Sequence, residues 1–170
     1  MRKYKQFRGA KSVLAICFAN AEETYHHWHV FSSGADGICI SFDKEALIKS
    51  LDGAPGFRTG PMQYEKVRAL ERRPELKHAE LPFLKRKPYE PEQEYRIVFE
   101  DRNEKRSFIN VSIDLTWIKT ITLSPWMPRA LQNSVSSTLK SIDGCENIRV
   151  IRSTLVGWGK WKAQADRAVP

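Results

Sequence analysis

Glu94-Tyr95-Arg96-Ile97-Val98-Phe99-Glu100 alternates between two kinds of side chain. After the polar Asp101-Arg102-Asn103-Glu104-Lys105, the run Arg106-Ser107-Phe108-Ile109-Asn110-Val111-Ser112-Ile113 alternates again. Period-two alternation puts successive residues on opposite faces of a strand, so the two runs read as a β-hairpin. Tyr95, Ile97 and Phe99 share one face of the first strand, and Ile109, Val111 and Ile113 share one face of the second. These six are expected to meet the core. Glu92, Glu94, Arg96 and Val98 lie on the other face.

Working outward, residues 13–19 are a short apolar run of the kind a buried strand shows. Asn20, with Glu23 three positions on, is a helix-start signal, and a helix is expected over residues 21–31. Residues 38–42 are β-branched and aromatic and read as a strand. Asp43 caps a helix reaching Leu51. Glycines and prolines make residues 52–61 a loop, and 62–67 a short strand. A helix is expected over 74–81. Residues 117–123 read as a strand, 124–128 as a rigid loop, and the following helix carries Leu131, Val135, Leu139 and Ile142 on one stripe. A last strand covers 147–151. Strands and helices alternate irregularly, which favours an α+β fold with a mixed, largely antiparallel sheet flanked by helices. The expected organisation is a basic N-terminal segment over 1–12, a single α+β domain over 13–156, and a basic, aromatic tail over 157–170.

The chain has 170 residues, 28 basic and 20 acidic, for a net charge of +8. Its composition is globular and excludes a wholly disordered chain. The longest apolar run is far short of the ~20 residues a membrane span needs. Cys17, Cys39 and Cys145 are widely spaced, which argues against a disulfide framework or a structural zinc finger. Cys17 and Cys39, inside apolar runs, are expected to act as small hydrophobes. The basic residues before Val13 and the small residues Ala19-Asn20-Ala21 resemble a secretory leader. The long basic region, the minimal apolar stretch and the helix-start signal at Asn20 oppose that, so a cytoplasmic location and no membrane partner are expected.

Three sets of residues suggest a family. They are Cys17-Phe18; His27-Trp28 with Phe31; and Gly37-Ile38-Cys39-Ile40-Ser41-Phe42. A further set is Lys85, Tyr89, Glu92, Glu94 and Arg96. Together they resemble the bacterial and phage family called domain of unknown function 2971, with Tyr89 where that family usually has Trp. The resemblance spans roughly residues 13–155. It implies a shared fold and a bacterial or phage origin, and supplies no activity.

The sharpest chemical candidate is Glu92 and Glu94 with Arg96 and Lys85. Two glutamates on one strand face after a Pro-rich stretch resemble the E-x-E motif of arginine-type ADP-ribosyltransferases. That resemblance implies that the second glutamate binds a ribose hydroxyl and stabilises an oxocarbenium-like centre, while the first polarises the acceptor. Such stabilisation strengthens as the dielectric falls. Ser41 is the one counterpart of that family's upstream serine strand. In a second catalytic reading the glutamates and Lys85 hold a metal and activate water for phosphodiester cleavage. The structural alternative is an ion network in which Arg96 and Lys85 neutralise the glutamates.

His27 is a candidate acid or base, and Trp28, Ser41, Tyr89 and Lys87 are candidate substrate contacts. His26 and His29 share a helix face but lack a third ligand, so no metal site is assigned, and the cofactor is left open. The basic clusters are residues 2–11, Lys85-Arg86-Lys87, and Arg102 with Lys105 and Arg106. With Trp126, Trp158 and Trp161 available for stacking, they suit an anionic partner. The expected function is an enzyme acting on a nucleotide or nucleic acid. The alternative is a non-catalytic module that binds nucleic acid or an acidic protein through its basic surface.

Overall fold

The computed structural model describes residues 2–32 and 34–168, without the side chain of Arg2. Met1, Val169 and Pro170, at the ends of the two expected terminal segments, lie outside the described residues. In chain order the elements are α1 (Arg2–Arg8), β1 (Ser12–Ala19), α2 (Tyr25–Phe31), β2 (Ile38–Phe42), α3 (Lys44–Lys49), β3 (Phe57–Pro61) and β4 (Gln63–Glu65). There follow α4 (Val67–Glu71), β5 (Leu84–Arg86), β6 (Glu94–Asp101), β7 (Ile118–Leu123), α5 (Arg129–Lys140), β8 (Arg149–Arg152) and α6 (Gly159–Asp166). The fold is α+β, and among the described residues its mixed, mostly antiparallel strands are distributed over three sheets. No helix among the described residues is long and apolar enough to cross a membrane.

The chain gathers into two compact units, each built from two segments. Unit 1 comprises Met1–Glu22 and Ile48–Ser112, and unit 2 comprises Glu23–Leu47 and Ile113–Pro170. In unit 1, β6 is the central strand of an antiparallel sheet. β1 runs along one edge, from Ser12 opposite Asp101 to Ala19 opposite Glu94. β3 takes the other edge, from Phe57 opposite Phe99 to Pro61 opposite Tyr95. β4 and β5 form a short parallel pair. In unit 2, β7 pairs antiparallel with β2 and parallel with β8. Its core is Ile121, Leu123, Met127 and Ile148, with Val135 and Leu139 of α5 packed against it. Leu131 and Ile142, expected on the same stripe, are exposed.

The expected hairpin does not form. Residues 106–113 carry no strand, because both edges of β6 are already occupied by β1 and β3. The Asp101 carboxylate accepts the Asn103 and Glu104 amides at 2.8 and 2.9 Å. The Ser12 hydroxyl accepts the Arg106 amide and donates to the Glu104 carbonyl. These bonds turn the chain away after β6 instead of returning it. Val111 and Ile113 are 41% and 39% exposed rather than core.

The faces of β6 also depart from simple alternation. Ile97 and Val98 are both buried, as are Glu94 and Glu100. The polar face is therefore covered too, by ion clusters rather than by water.

Other differences are local. α2 is capped by Thr24, whose hydroxyl accepts the His27 amide at 3.2 Å, and not by Asn20. β3 occupies part of the expected 52–61 loop. Gly56 there has φ +85°, and a Cβ would stand 2.7 Å from the Glu100 carbonyl oxygen, so only glycine fits. In place of the expected 74–81 helix, residues 74–77 carry none and a 3-10 turn covers His78–Phe83, while α4 lies before them. The basic segment before β1 is part of unit 1, since Tyr4 is 2% exposed and bonded to Glu100. The aromatic tail contains α6.

Candidate functional site

Glu94 opens β6, and Arg96 follows two residues on, on the same face. Lys85 lies on β5, held beside β4 by the Tyr64–Lys85 pairing. A 3-10 turn over Lys87–Glu92 brings Glu92 back toward β5. The result is a compact ion cluster. The Lys85 ammonium bonds Glu92 Oε2 and, at 2.9 Å, Glu94 Oε2. Arg96 reaches Glu94 Oε1 through Nε at 2.8 Å and Nη2 at 2.6 Å, and donates through Nη1 to the Pro82 carbonyl at 2.6 Å. Glu92 and Glu94 are 6% and 5% exposed. Buried carboxylates are costly to desolvate, and here both are matched by cations.

The ionisation of the cluster follows from this geometry. Burial alone would raise the Glu94 pKa. Hydrogen bonds from Cys17, Lys85 and Arg96 outweigh it and hold the carboxyl below its usual value. Burial works against the Lys85 ammonium, but the two glutamates push its pKa up. Cys17, opposite Arg96 on β1, is solvent-exposed rather than a buried hydrophobe. Its thiol is pushed up by burial of the group and by the neighbouring Glu94 carboxylate, so it stays protonated. Glu94 thus stands ionised with both oxygens engaged.

Gln93, between the two glutamates, has φ 42° and ψ 47°, the left-handed region that L side chains avoid. Its amide donates to the Glu90 carbonyl at 3.0 Å, and its carbonyl accepts the Asn20 amide at 2.9 Å. The Glu94 amide donates to the Tyr64 hydroxyl at 2.7 Å. Asn20, Pro61, Tyr64, Glu90, Pro91, Gln93 and Glu94 line an open groove of about 530 Å³. Gln93→Gly is expected to raise stability by about 0.5–1 kcal/mol, the relief of left-handed strain less the entropy of a freer unfolded chain. Chemical denaturation checks this, and a loss of stability would show that the Gln93 side chain itself holds the corner.

The remaining sequence candidates divide between the units. Tyr89 is exposed, and the Lys85 ammonium lies 5.0 Å from its ring centroid, so it joins the cluster as a cation–π partner. Lys87 pairs with Glu90 at the surface. His27, Trp28 and Ser41 belong to unit 2, whereas the glutamate pair belongs to unit 1. Trp28 is buried, with its indole N–H donating to Glu23 at 2.8 Å. His27 lies beside the Phe31 ring, and its Nε2 is buried without a hydrogen-bond partner among the described residues. Ser41 is exposed, at the β-bulge of β2. His29 stacks on Tyr25. No group of three His, Cys, Asp or Glu side chains able to hold a metal occurs among the described residues.

A second cluster carried no signal in the sequence pattern. Glu100, at the far end of β6, accepts from the Tyr4 hydroxyl, from Arg8 Nε at 2.8 Å and from Arg58 Nη1 at 3.2 Å. Arg58 also donates to the Tyr4 oxygen at 2.9 Å and to the Ala79 carbonyl at 2.7 Å. Burial would raise the Glu100 pKa, but these donors hold it below its usual value. The spacing Glu94, Arg96, Val98, Glu100 places Glu100 on the face of the first cluster. Its partners are not marked, since they come from α1 and from the glycine-rich stretch.

Set against known proteins, the chain matches no family model, no curated protein and no solved structure.

Proposed function

We propose that unit 1 is a non-catalytic module that binds nucleic acid through its basic surface. The observation that carries this reading is the distribution of charge. Unit 1 has nineteen basic and twelve acidic side chains, a net +7, whereas unit 2 has nine and eight, a net +1. Within unit 1, eight acids are engaged in ion pairs with seven cations. Lys66, Arg68, Arg72, Lys77, Arg86 and Arg102 are exposed and form no ion pair among the described residues. These exposed cations outnumber Glu71 and Glu75, the exposed acids of the same stretch outside the ion pairs, and the positive surplus favours a polyanion.

Binding of a labelled oligonucleotide, followed by fluorescence anisotropy, is expected to weaken steeply with salt. The slope of log K against log salt is about 0.7–0.9 per phosphate neutralised. Replacing Arg68, Arg72 and Arg86 by Gln should reduce that slope by about two to three, roughly one for each phosphate no longer neutralised. Absence of binding at low salt, or binding indifferent to salt, would remove the reading.

A second reading, an enzyme acting on a nucleotide or nucleic acid, draws support from Gln93. Backbone strain concentrates at functional sites, and here it sits beside Glu94 on the wall of a groove. Against it stands the engagement of both Glu94 oxygens by Lys85 and Arg96, which leaves little capacity for a nucleophile or base.

A further inference from the structure

β1 lies at one edge of the unit 1 sheet, with β6 on its inner side. Two bonds fix which of its groups face that neighbour. The Asn20 amide donates to the Gln93 carbonyl, and the Met62 amide donates to the Glu94 carbonyl. The odd residues of β6 therefore bond β1, and the even ones bond β3. On β1 it is Ser12, Leu14, Ile16 and Phe18 that bond β6, so the amides and carbonyls of Val13, Ala15, Cys17 and Ala19 point outward. None of these outward groups makes a backbone hydrogen bond among the described residues.

An open edge is a template for further pairing, and proteins guard such edges with charge, proline, bulges or short strands. β3, at the other edge of the sheet, carries Arg58 and Pro61, and the proline ring stands where an outward N–H would be. β2, at an edge of the unit 2 sheet, is five residues long and has a register shift at Ser41 and Phe42. β1 has none of these devices. Residues Ser12–Ala19 include no charge, proline or glycine, and their register against β6 is unbroken.

The strand that fits this edge is β1 itself. Laid antiparallel on a second copy about a two-fold axis at Ile16, Val13 faces Ala19 and Ala15 faces Cys17. All the outward positions are then paired, by about eight backbone hydrogen bonds. An axis at Ala15 or Cys17 leaves one outward position of each strand unpaired. Side chains also match across the seam. Ile16 meets its counterpart and Leu14 meets Phe18, on the face that already holds Phe57, Ile97 and Phe99. No charge opposes another, and a strand with a polar row would leave these apolar side chains unmatched. Because β3 is guarded at the far edge, pairing stops at two copies.

We infer that two copies of the chain join through β1, antiparallel about Ile16, into one continuous sheet running β3-β6-β1-β1-β6-β3. The inference is independent of polyanion binding, and its salt dependence has the opposite sign. The positive surplus of unit 1 makes the copies repel, and salt screens that repulsion. Polyanion binding instead weakens with salt.

The test is sedimentation velocity of the full chain over a dilution series, at low and high salt. Dimer is expected at about 0.1 mM, in the weak range of small interfaces, with more of it at high salt. Ile16→Lys sets two ammonium groups against each other at the axis and should weaken association at least about tenfold. Ile16 is 56% exposed, so the circular dichroism and melting of that variant should match those of the parent. Ile16→Cys, oxidised with diamide, should give a dimer linked through the two introduced thiols. The parent should not link through Cys17, which faces Ala15 and lies more than the ~7 Å reach of a disulfide from its counterpart. A chain that stays monomeric up to about 1 mM would overturn the inference. So would a dimer that survives Ile16→Lys, or one whose introduced thiols fail to link. If Ile16→Lys does not fold, the cross-link decides. Oligonucleotide binding by a strictly monomeric chain would leave the polyanion reading standing and remove this one.

Discussion

Glu100→Gln is expected to lower stability by about 3 kcal/mol, the lower end of the range for breaking a buried ion pair. The lower end applies because Arg8 and Arg58 each keep about a third of their side chains in water and can partly rehydrate. The substitution preserves shape, so the loss is electrostatic. Glu100 offers two acceptor oxygens to three donors. A glutamine amide offers one acceptor and turns an N–H₂ group toward a guanidinium, so donor faces donor. Tyr4→Phe removes a single hydrogen bond and should cost only about 1–1.5 kcal/mol. Urea denaturation of the two single variants and the double variant should be non-additive, because both act on one network. A Glu100→Gln variant within about 0.5 kcal/mol of the parent, the level of an ordinary surface change, would mean that α1 is not anchored through this carboxylate.

Glu94→Gln is the second large effect, and its sign discriminates between the readings of the site. If the cluster is an ion network, the substitution leaves the Lys85 and Arg96 cations beside Glu92 alone, and stability falls by about 2–3 kcal/mol. If Glu94 is a catalytic carboxylate held against repulsion from Glu92, the same substitution leaves stability unchanged or raised. The observed pairing predicts the fall, and thermal melting reads it.

The dependence on pH supplies an independent measure. Both Glu94 and Glu100 ionise more readily in the folded protein than at the usual 4.5. The stability they contribute is complete above the unfolded value and drains away as pH falls through the folded one. Denaturation midpoints should therefore drop steeply below about pH 4.5. The Gln variant at position 94 should show a shallower drop, because one of the two contributions is gone. Equal slopes in parent and variant would exclude Glu94 as a source of acid sensitivity.

What was legible in the sequence was local. The positions of β1 and β2 follow from apolar and β-branched runs, and β6 from its alternation, but the burial expected of residues 13–19 is not found: none of them is fully buried, and Ile16 is 56% exposed. The set Lys85, Glu92, Glu94 and Arg96 was legible as a group, and the structure brings all four together, but strand spacing accounts only for Glu94 and Arg96; Glu92 arrives from a 3-10 turn that ends at the left-handed Gln93. The partner of β6 was not legible, because its true neighbours are supplied from residues 12–19 and 57–61. Residues 106–113 imitate a returning strand with equally good alternation. Gln93 gave no warning either, since a left-handed corner is ordinarily marked by glycine or asparagine. Cys17 looked like a small hydrophobe in an apolar run, and its role beside Glu94 appears only when β1 is laid in register against Arg96.

The interleaving of the two units orders events during synthesis. Ser12 emerges 89 residues before its partner Asp101. At ordinary translation rates β1 waits roughly 4–18 s for the strand that completes its sheet. Closing so long a loop adds little to the equilibrium free energy, because each doubling of length costs only about 0.6 kcal/mol, but it delays productive pairing. Unit 1 has all its residues once Ser112 is made, whereas β2 still lacks β7 and β8. Residues 23–47 are therefore first an excursion from a sheet that can already close. They become the smaller part of a second unit only when the last third of the chain leaves the ribosome.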